Sequence, residues 1–336
     1  MSTVKLVIGA SGFLGSHVVR QLVADGETVR VMIRPTSSTR GIDDLDVEIC
    51  HGDIFDVEAL RSAMDDCDVV YYCVVDARPW LRDPAPLYRT NVEGLERVLD
   101  VAAEAQLKRF VFTSSIATIG LVSHGLADEQ TAHNWLDRGG HYVRSRVEAE
   151  KLVLDYHRTH GLSTVAMCVA NTYGPGDHLP TPHGGLVAAA AAGKMPFHID
   201  GANAEVVGVA DAARALILAG ERGRPGERYI VAERFMSAQE IYRVACAAVG
   251  VAPPRFGVPI KAMAALGSLS AFVARLRRRD TRLSPLTVRL MHVMSPLSHD
   301  KAVHELGWQP RPAPDAIAEA ATFFHTIRRT RIKEKP

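Results

Sequence analysis

Gly9-Ala10-Ser11-Gly12-Phe13-Leu14-Gly15 stands between a short β-branched run, residues 5–8, and a helical stripe of Phe13, Leu14, Val18, Val19 and Leu22. A strand that passes through three spaced glycines into a helix is the opening of a dinucleotide-binding βαβ unit. Gly9 permits the tight turn, and Gly12 lets backbone N–H groups approach a pyrophosphate at the helix N-terminus. There, unpaired donors and the helix dipole favour an anion. Gly15 lets helix and strand pack closely.

Outward from this turn the chain alternates β-branched or aromatic runs with helical patterns. Strands are predicted over residues 5–8, 28–33, 47–50, 68–75, 109–113 and 164–169, several of them apolar almost throughout. Leu95, Val98, Leu99 and Ala102 form a second helical stripe. The expected architecture is α/β, a doubly wound parallel sheet covered on both faces. From residue 171 the texture changes to Pro- and Gly-rich turns with helices between them, as in Gly174-Pro175-Gly176 and Leu179-Pro180-Thr181-Pro182. Residues 1–170 therefore read as a cofactor domain and residues 171–330 as a smaller substrate-binding lobe, with room for one strand to return to the sheet. Residues 331–336 read as a basic tail.

With 336 residues, 47% hydrophobic and 23% charged, the chain can build a large core, which excludes disordered, collagen-like and coiled-coil classes. Thirty-nine basic against thirty-eight acidic residues leave a net charge of +1, so no global field draws it to nucleic acid or lipid. Five scattered cysteines without close pairing suggest a reduced, cytoplasmic protein. The apolar run near the start is too short for a signal peptide. The stretch 260–274, broken by Lys261, Gly267, Ser268 and Ser270, falls short of the ~20 residues of a bilayer span.

The choice of dinucleotide is read where the second strand ends. An NAD site wants a carboxylate there; this chain has Arg34, followed by Ser38 and Arg40. A guanidinium offers a planar fork to phosphate oxygens, so NADP is the expected cofactor, with NAD as the alternative. Asp53-Ile54 after the third strand is placed to accept from the adenine amine and cover the ring; Asp53 could equally cap the helix beginning near Asp56.

Thr113-Ser114-Ser115 ends the fifth strand at the carboxyl edge, where open α/β sheets carry their chemistry. Tyr142 follows, and Arg146 lies at i+4 on the same helix face. A carbonyl held between the Ser115 and Tyr142 hydroxyls would be polarised for hydride attack, with the tyrosine giving or taking the proton. Ser114 or Thr113 could stand in for Ser115, since only one of two neighbours in a strand faces the substrate.

With these residues in place the sequence resembles the extended short-chain dehydrogenase/reductase family, in particular its epimerase/dehydratase, dihydroflavonol-reductase-like and 3β-hydroxysteroid-dehydrogenase-like members. The resemblance is carried by the Gly9 to Gly15 turn, Asp53-Ile54, Thr90-Asn91-Val92-Glu93-Gly94, Phe112-Thr113-Ser114-Ser115, Tyr142 with Ser145-Arg146 and Ala149-Glu150-Lys151. Asn171-Thr172-Tyr173-Gly174-Pro175 and Val209-Ala210-Asp211 complete it. It implies a Rossmann-type domain, a nicotinamide cofactor, a Ser115/Tyr142/Arg146 catalytic set and a homodimer. It also implies cofactor contacts from Ser11, Phe13, Leu14, Val74, Asn91, Thr113, Val169, Asn171 and Thr172, and a substrate contact from Asn171. One departure is material: the family pattern has lysine where this chain has Arg146. Arginine keeps the charge, worth about 4 kcal/mol toward a phenolate at ~4 Å and an effective dielectric of ~20, but its fork is bulkier than an ammonium. Lys151, nine residues from Tyr142, falls on the opposite helix face.

Other features weigh less. His178 and His183 share a loop, but no histidine pair has the spacing of a zinc site, so no metal is expected. Arg78 and Trp80, after the fourth strand, are candidates for the substrate pocket; Trp80 could instead anchor its own loop. The run Arg275, Arg277, Arg278, Arg279, Arg282 follows an apolar stretch and allows peripheral membrane association, although such runs are more often solvated faces. No aromatic platform accompanies it, which argues against nucleic acid. The function expected is an NAD(P)(H)-dependent oxidoreductase acting on a carbonyl or secondary alcohol of a small, apolar substrate. Nucleotide-sugar epimerase/dehydratase chemistry, or NADP(H) sensing without turnover because of Arg146, are the alternatives.

Overall fold

The structure is a computed structural model and describes residues 4–333. The first half runs β1 (Val4–Ile8), α1 (Phe13–Ala24), β2 (Thr28–Ile33), β3 (Glu48–His51), α2 (Val57–Met64), β4 (Cys67–Tyr72), α3 (Ala85–Tyr88), α4 (Gly94–Glu104), β5 (Arg109–Ser115), α5 (Leu136–His160) and β6 (Thr164–Val169). The second half runs β7 (Asn171–Tyr173), α6 (Pro182–Ala191), β8 (Phe197–Asp200), β9 (Asn203–Gly208), α7 (Val209–Arg222), β10 (Glu227–Val231), β11 (Arg234–Ser237) and α8 (Ala238–Ala248). It ends with β12 (Phe256–Pro259), α9 (Ile260–Leu276), α10 (Pro285–Leu290) and α11 (Ala313–Lys333).

Seven strands form one parallel sheet in the order β10-β6-β5-β4-β1-β2-β3. Strand order reverses between β1 and β4, and such a switch point opens a crevice at the carboxyl ends of the strands. Alternation along β1 explains the two cores. Val7 faces one side, with Val18, Val19, Leu22, Val31 and Val111, whereas Leu6 and Ile8 face the other, with Val70, Phe110, Phe112, Leu95 and Val98. Both predicted helix stripes are buried in these layers, except for Phe13 and Leu14, which are half-buried beside the glycine turn.

Some elements differ from their sequence reading. The third strand lies one residue later than expected, and β4 stops at Tyr72, although Cys73 N–H still donates to the Ile8 carbonyl (2.9 Å). After residue 171 the chain leaves the large sheet and comes back: β10 pairs with β6, and α7 packs its Leu216 and Ile217 into the same core as Val18 and Val19. The outer part is a three-stranded sheet, β11-β9-β7, with α6, α8 and α11 around a core of Val187, Ala190, Ile241 and Ile317. The basic end is not a tail from residue 331, because α11 continues to Lys333; Lys335 and residues 334–336 lie outside the described residues.

Candidate active site

The glycine turn forms a bare cradle. Gly9 has φ +89°, and a Cβ there would lie 3.0 Å from the Cys73 carbonyl carbon; one on Gly15 would lie 2.3 Å from the Gly9 carbonyl oxygen. Side chains are thus excluded at both positions. Gly12 is the N-cap of α1 and contributes no side chain, leaving the first-turn N–H groups free of a side-chain cap. Gly9, Ser11 and Gly12 border a cleft of about 1440 Å³, which also takes in Arg34, Asp53, Ile54, Val74 and Arg78. A donor-rich helix start with no side chain in the way fits a dinucleotide pyrophosphate.

At the far end of the cleft Arg34 is exposed, and among the described residues it enters no ion pair. Ser37, not Ser38, shares the cleft wall, because a turn bonded from Ser37 N–H to the Arg34 carbonyl (2.9 Å) brings Ser37 inward. Ser38 and Arg40 are exposed and do not line it. Asp53 accepts from Phe55 N–H (3.1 Å), and the helix cap is Asp56, whose side chain accepts from Ala59 N–H (3.1 Å). Capping is therefore not the duty of Asp53.

The residues expected to be catalytic, Ser115, Tyr142 and Arg146, lie on β5 and α5 and are not among those that border this cleft. Ser114 points into the protein and donates to Glu150 (2.5 Å), so it is unavailable to a substrate. Ser115, on the opposite pleat, accepts from Ala117 N–H (3.2 Å) and keeps its own proton to donate. Tyr142 packs in the cluster that contains Ala117 and Trp135, which brings its ring to the same corner. Gly140, at φ +69°, kinks α5 just ahead of Tyr142, and a Cβ there would meet Leu286 at 2.6 Å.

Arg146 is 1% exposed and lies over the Phe112 ring (5.1 Å). It makes one hydrogen bond, donating through Nη2 to the Thr113 carbonyl (2.5 Å), while Nε and Nη1 are buried without a partner. Burial pushes its pKa down, opposed by the neighbouring Tyr142, then Tyr72, Glu150 and Cys168. Unsatisfied buried donors on a charged group are costly, and such sites mark where a ligand completes the hydrogen bonding. The two free nitrogens next to Tyr142 therefore fit the hydroxyl-rich part of a nicotinamide nucleotide, as the glycine cradle fits its pyrophosphate.

One turn further on, Glu150 gathers Ser114, Thr118 (2.8 Å) and Cys168 (3.2 Å) on one oxygen and Arg228 (2.9 Å) on the other. Desolvation, then the Glu150 charge, pushes the Cys168 thiol well up, so it stays a donor. This knot ties α5 to β5, β6 and β10.

The NAD dependent epimerase/dehydratase family model matches residues 5–232. The chain belongs to this family. Sterol demethylase protein B of Methylococcus capsulatus is 29% identical over 95% of this chain and 97% of its own length. A putative dihydroflavonol 4-reductase of a Synechocystis species is 27% identical over 95% and 93%. The crystal structure of gox2253 superposes with a TM-score of 0.86 at 33% identity, covering 97% of this chain and 99% of that one.

Within this epimerase/dehydratase fold the remaining expected residues have diverse places. Asn91 is 2% exposed with its amide fully engaged: it exchanges hydrogen bonds with the Asp76 backbone (2.8 and 3.0 Å) and donates to Ser145 Oγ (3.1 Å). It therefore braces the β4 loop against α5 rather than offering a free group to a ligand. Val169, which ends β6, and Thr172 are buried, while Asn171, which opens β7, and Thr113 in β5 are half-buried. Arg78 lines the cleft with its charge matched by the buried Asp76 (2.5 and 2.8 Å). Trp80 does not line it; the Arg282 guanidinium covers its ring at 5.1 Å and holds the loop. His183 is half-buried, bonded to the Thr172 carbonyl (3.0 Å) and pushed down to about 4 by desolvation, while His178 packs on Phe323. Lys151 is exposed, as its helix phase requires. Among the described residues no helix is long and apolar enough to cross a membrane, and no cluster of three or more His, Cys, Asp or Glu could hold a metal.

Sequence reasoning passed over Arg89, stacked on Phe55 (4.9 Å) at the cleft wall, and the role of Glu150. The signal for Glu150 was its spacing, i+8 from Tyr142 and i+4 from Arg146 on one helix face.

Proposed function

We propose that this NAD(P)-dependent oxidoreductase prefers NADP(H) and reduces a carbonyl, or oxidises the matching secondary alcohol, on a small apolar molecule. A nicotinamide cofactor, when bound, would supply or take the hydride. Ser115, its oxygen oriented by Ala117 N–H, donates to the substrate oxygen and polarises it. Tyr142 gives that oxygen a proton in reduction and removes it in oxidation. Arg146 stabilises the phenolate left on Tyr142, and its Nε and Nη1 would hold ribose hydroxyls of the cofactor. The observation that carries this reading is the fully buried Arg146 guanidinium with two nitrogens lacking partners.

NADP(H) is supported by Arg34 on the cleft wall where an acid would serve NAD. An apolar substrate is supported by relatives named for sterol and dihydroflavonol chemistry. The apolar run of α6 lends no support, because Val187, Ala190 and Ala191 are core of the outer lobe. Hydride transfer from NADPH to a panel of steroid ketones, flavonoid-like ketones and aldehydes is expected for the wild type. Tyr142→Phe is expected to lose about 10²–10⁴-fold in kcat while retaining cofactor binding. Equal rates in the two proteins would refute an acid/base role for Tyr142.

A further inference from the structure

Isolated apolar side chains on a surface are normal; a contiguous stripe is not. Leu266 (50% exposed), Leu269 (61%), Phe272 (60%), Val273 (36%) and Leu276 (70%) all lie on α9. At 100° per residue they fall within an arc of about 120°. The opposite side of the helix buries Met263 and Gly267, the latter against the Ser284 backbone. The stripe ends in a cationic cluster: Arg275, Arg277, Arg278 and Arg279 are exposed and enter none of the ion pairs among the described residues. The only carboxylate in that run, Asp280, accepts from Arg82 N–H (3.0 Å).

We propose that α9 and the arginines that follow it dock this chain on an anionic lipid surface, from which the apolar substrate enters the cleft. An inserted apolar stripe with guanidinium groups at its edge matches acyl chains beneath anionic headgroups, whereas a neutral partner would leave the cluster without counter-charge. The place fits. The Asp280–Arg82 bond and the Arg282–Trp80 stack fasten the end of α9 to the loop whose first residues, Asp76, Ala77 and Arg78, border the cleft. Docking stands on the surface alone; delivery rests on the apolar-substrate reading above.

The test is flotation of the full chain with vesicles of phosphatidylcholine, with and without phosphatidylglycerol, in the absence of cofactor and substrate. At least tenfold stronger binding to the anionic vesicles is expected, weakening with salt. Leu269→Glu with Phe272→Glu should abolish it, and Arg277→Glu with Arg278→Glu and Arg279→Glu should reduce it by more than about tenfold. These positions are exposed, so thermal melts and NADPH binding should be unchanged. Absence of wild-type binding, or equal binding to neutral vesicles, overturns docking. So does a dimer in sedimentation equilibrium without lipid that Leu269→Glu dissociates. Delivery is read separately: the apolar double variant should slow reduction of a vesicle-embedded ketone but not of a water-soluble aldehyde. Vesicle binding with no turnover of any ketone would remove the reductase reading and leave docking intact.

Discussion

Two arginines flank the same stretch of α5 and meet opposite fates. Arg228 is enclosed by acceptors: it pairs with Glu150 (2.9 Å) and donates to the Glu129 carbonyl (2.5 and 2.9 Å). Arg146, more deeply buried, has one carbonyl and two empty nitrogens. The first is a closed structural pair, in which each charge satisfies the other. The second is an open one, with two buried nitrogens lacking partners, the position at which the proposed function seats the cofactor ribose. Glu205 shows a third solution to burial. It has one donor, Leu297 N–H (2.7 Å), and desolvation pushes its carboxyl up to about 7, which favours the protonated form.

The contrast breaks most visibly at Glu150. Glu150→Leu should leave the half-buried Arg228 without its carboxylate, holding only the Glu129 carbonyl, and lower stability by about 3 kcal/mol in urea unfolding. A smaller loss would mean the knot is not a closed pair. For Glu205 the sign follows from its raised folded pKa. The folded protein holds a proton that the unfolded chain releases above its ordinary value of 4.5, so stability should fall as pH rises from about 4.5 to about 7. The fall should be at most about 3 kcal/mol, and Glu205→Gln should flatten that slope.

Arg146→Met sharpens the comparison in the opposite direction. It should raise cofactor-free stability by about 1–3 kcal/mol, because unsatisfied donors leave the core, while weakening cofactor binding about tenfold or more. A destabilised apo protein would place Arg146 with Arg228, as a structural charge. The smallest effect is expected for Arg34, exposed on the cleft wall. Arg34→Ala should lose about tenfold in NADPH affinity, leave NADH affinity unchanged and shift the melting temperature little. Tighter binding of NADH than NADPH by the wild type would refute the NADP assignment.

The glycine turn, the strand and helix alternation and the pairing of Tyr142 with Arg146 were readable because each is a local pattern. Backbone conformation, period two and period 3.6 are set by near neighbours in the chain. That Ser114 and Ser115 point to opposite sides follows from the pleat, but that Ser114 is the one engaged inside required Glu150. The change of texture at residue 171 is local and was readable, whereas the return of α7 and β10 to the sheet was not. Their apolar stretches suit either lobe, and only packing on Val18 and Val19 distinguishes them.

The order of residues alone therefore determined a cofactor cradle, a phenol and a cation one helical turn apart, because spacing along a helix or through a turn is a property of the chain. Tertiary structure alone decided that Arg228 has a carboxylate 78 residues away and Arg146 has none, and that the stripe on α9 faces outward. Burial and counter-charge arise from segments brought together across the fold, and no local pattern specifies which segments those are.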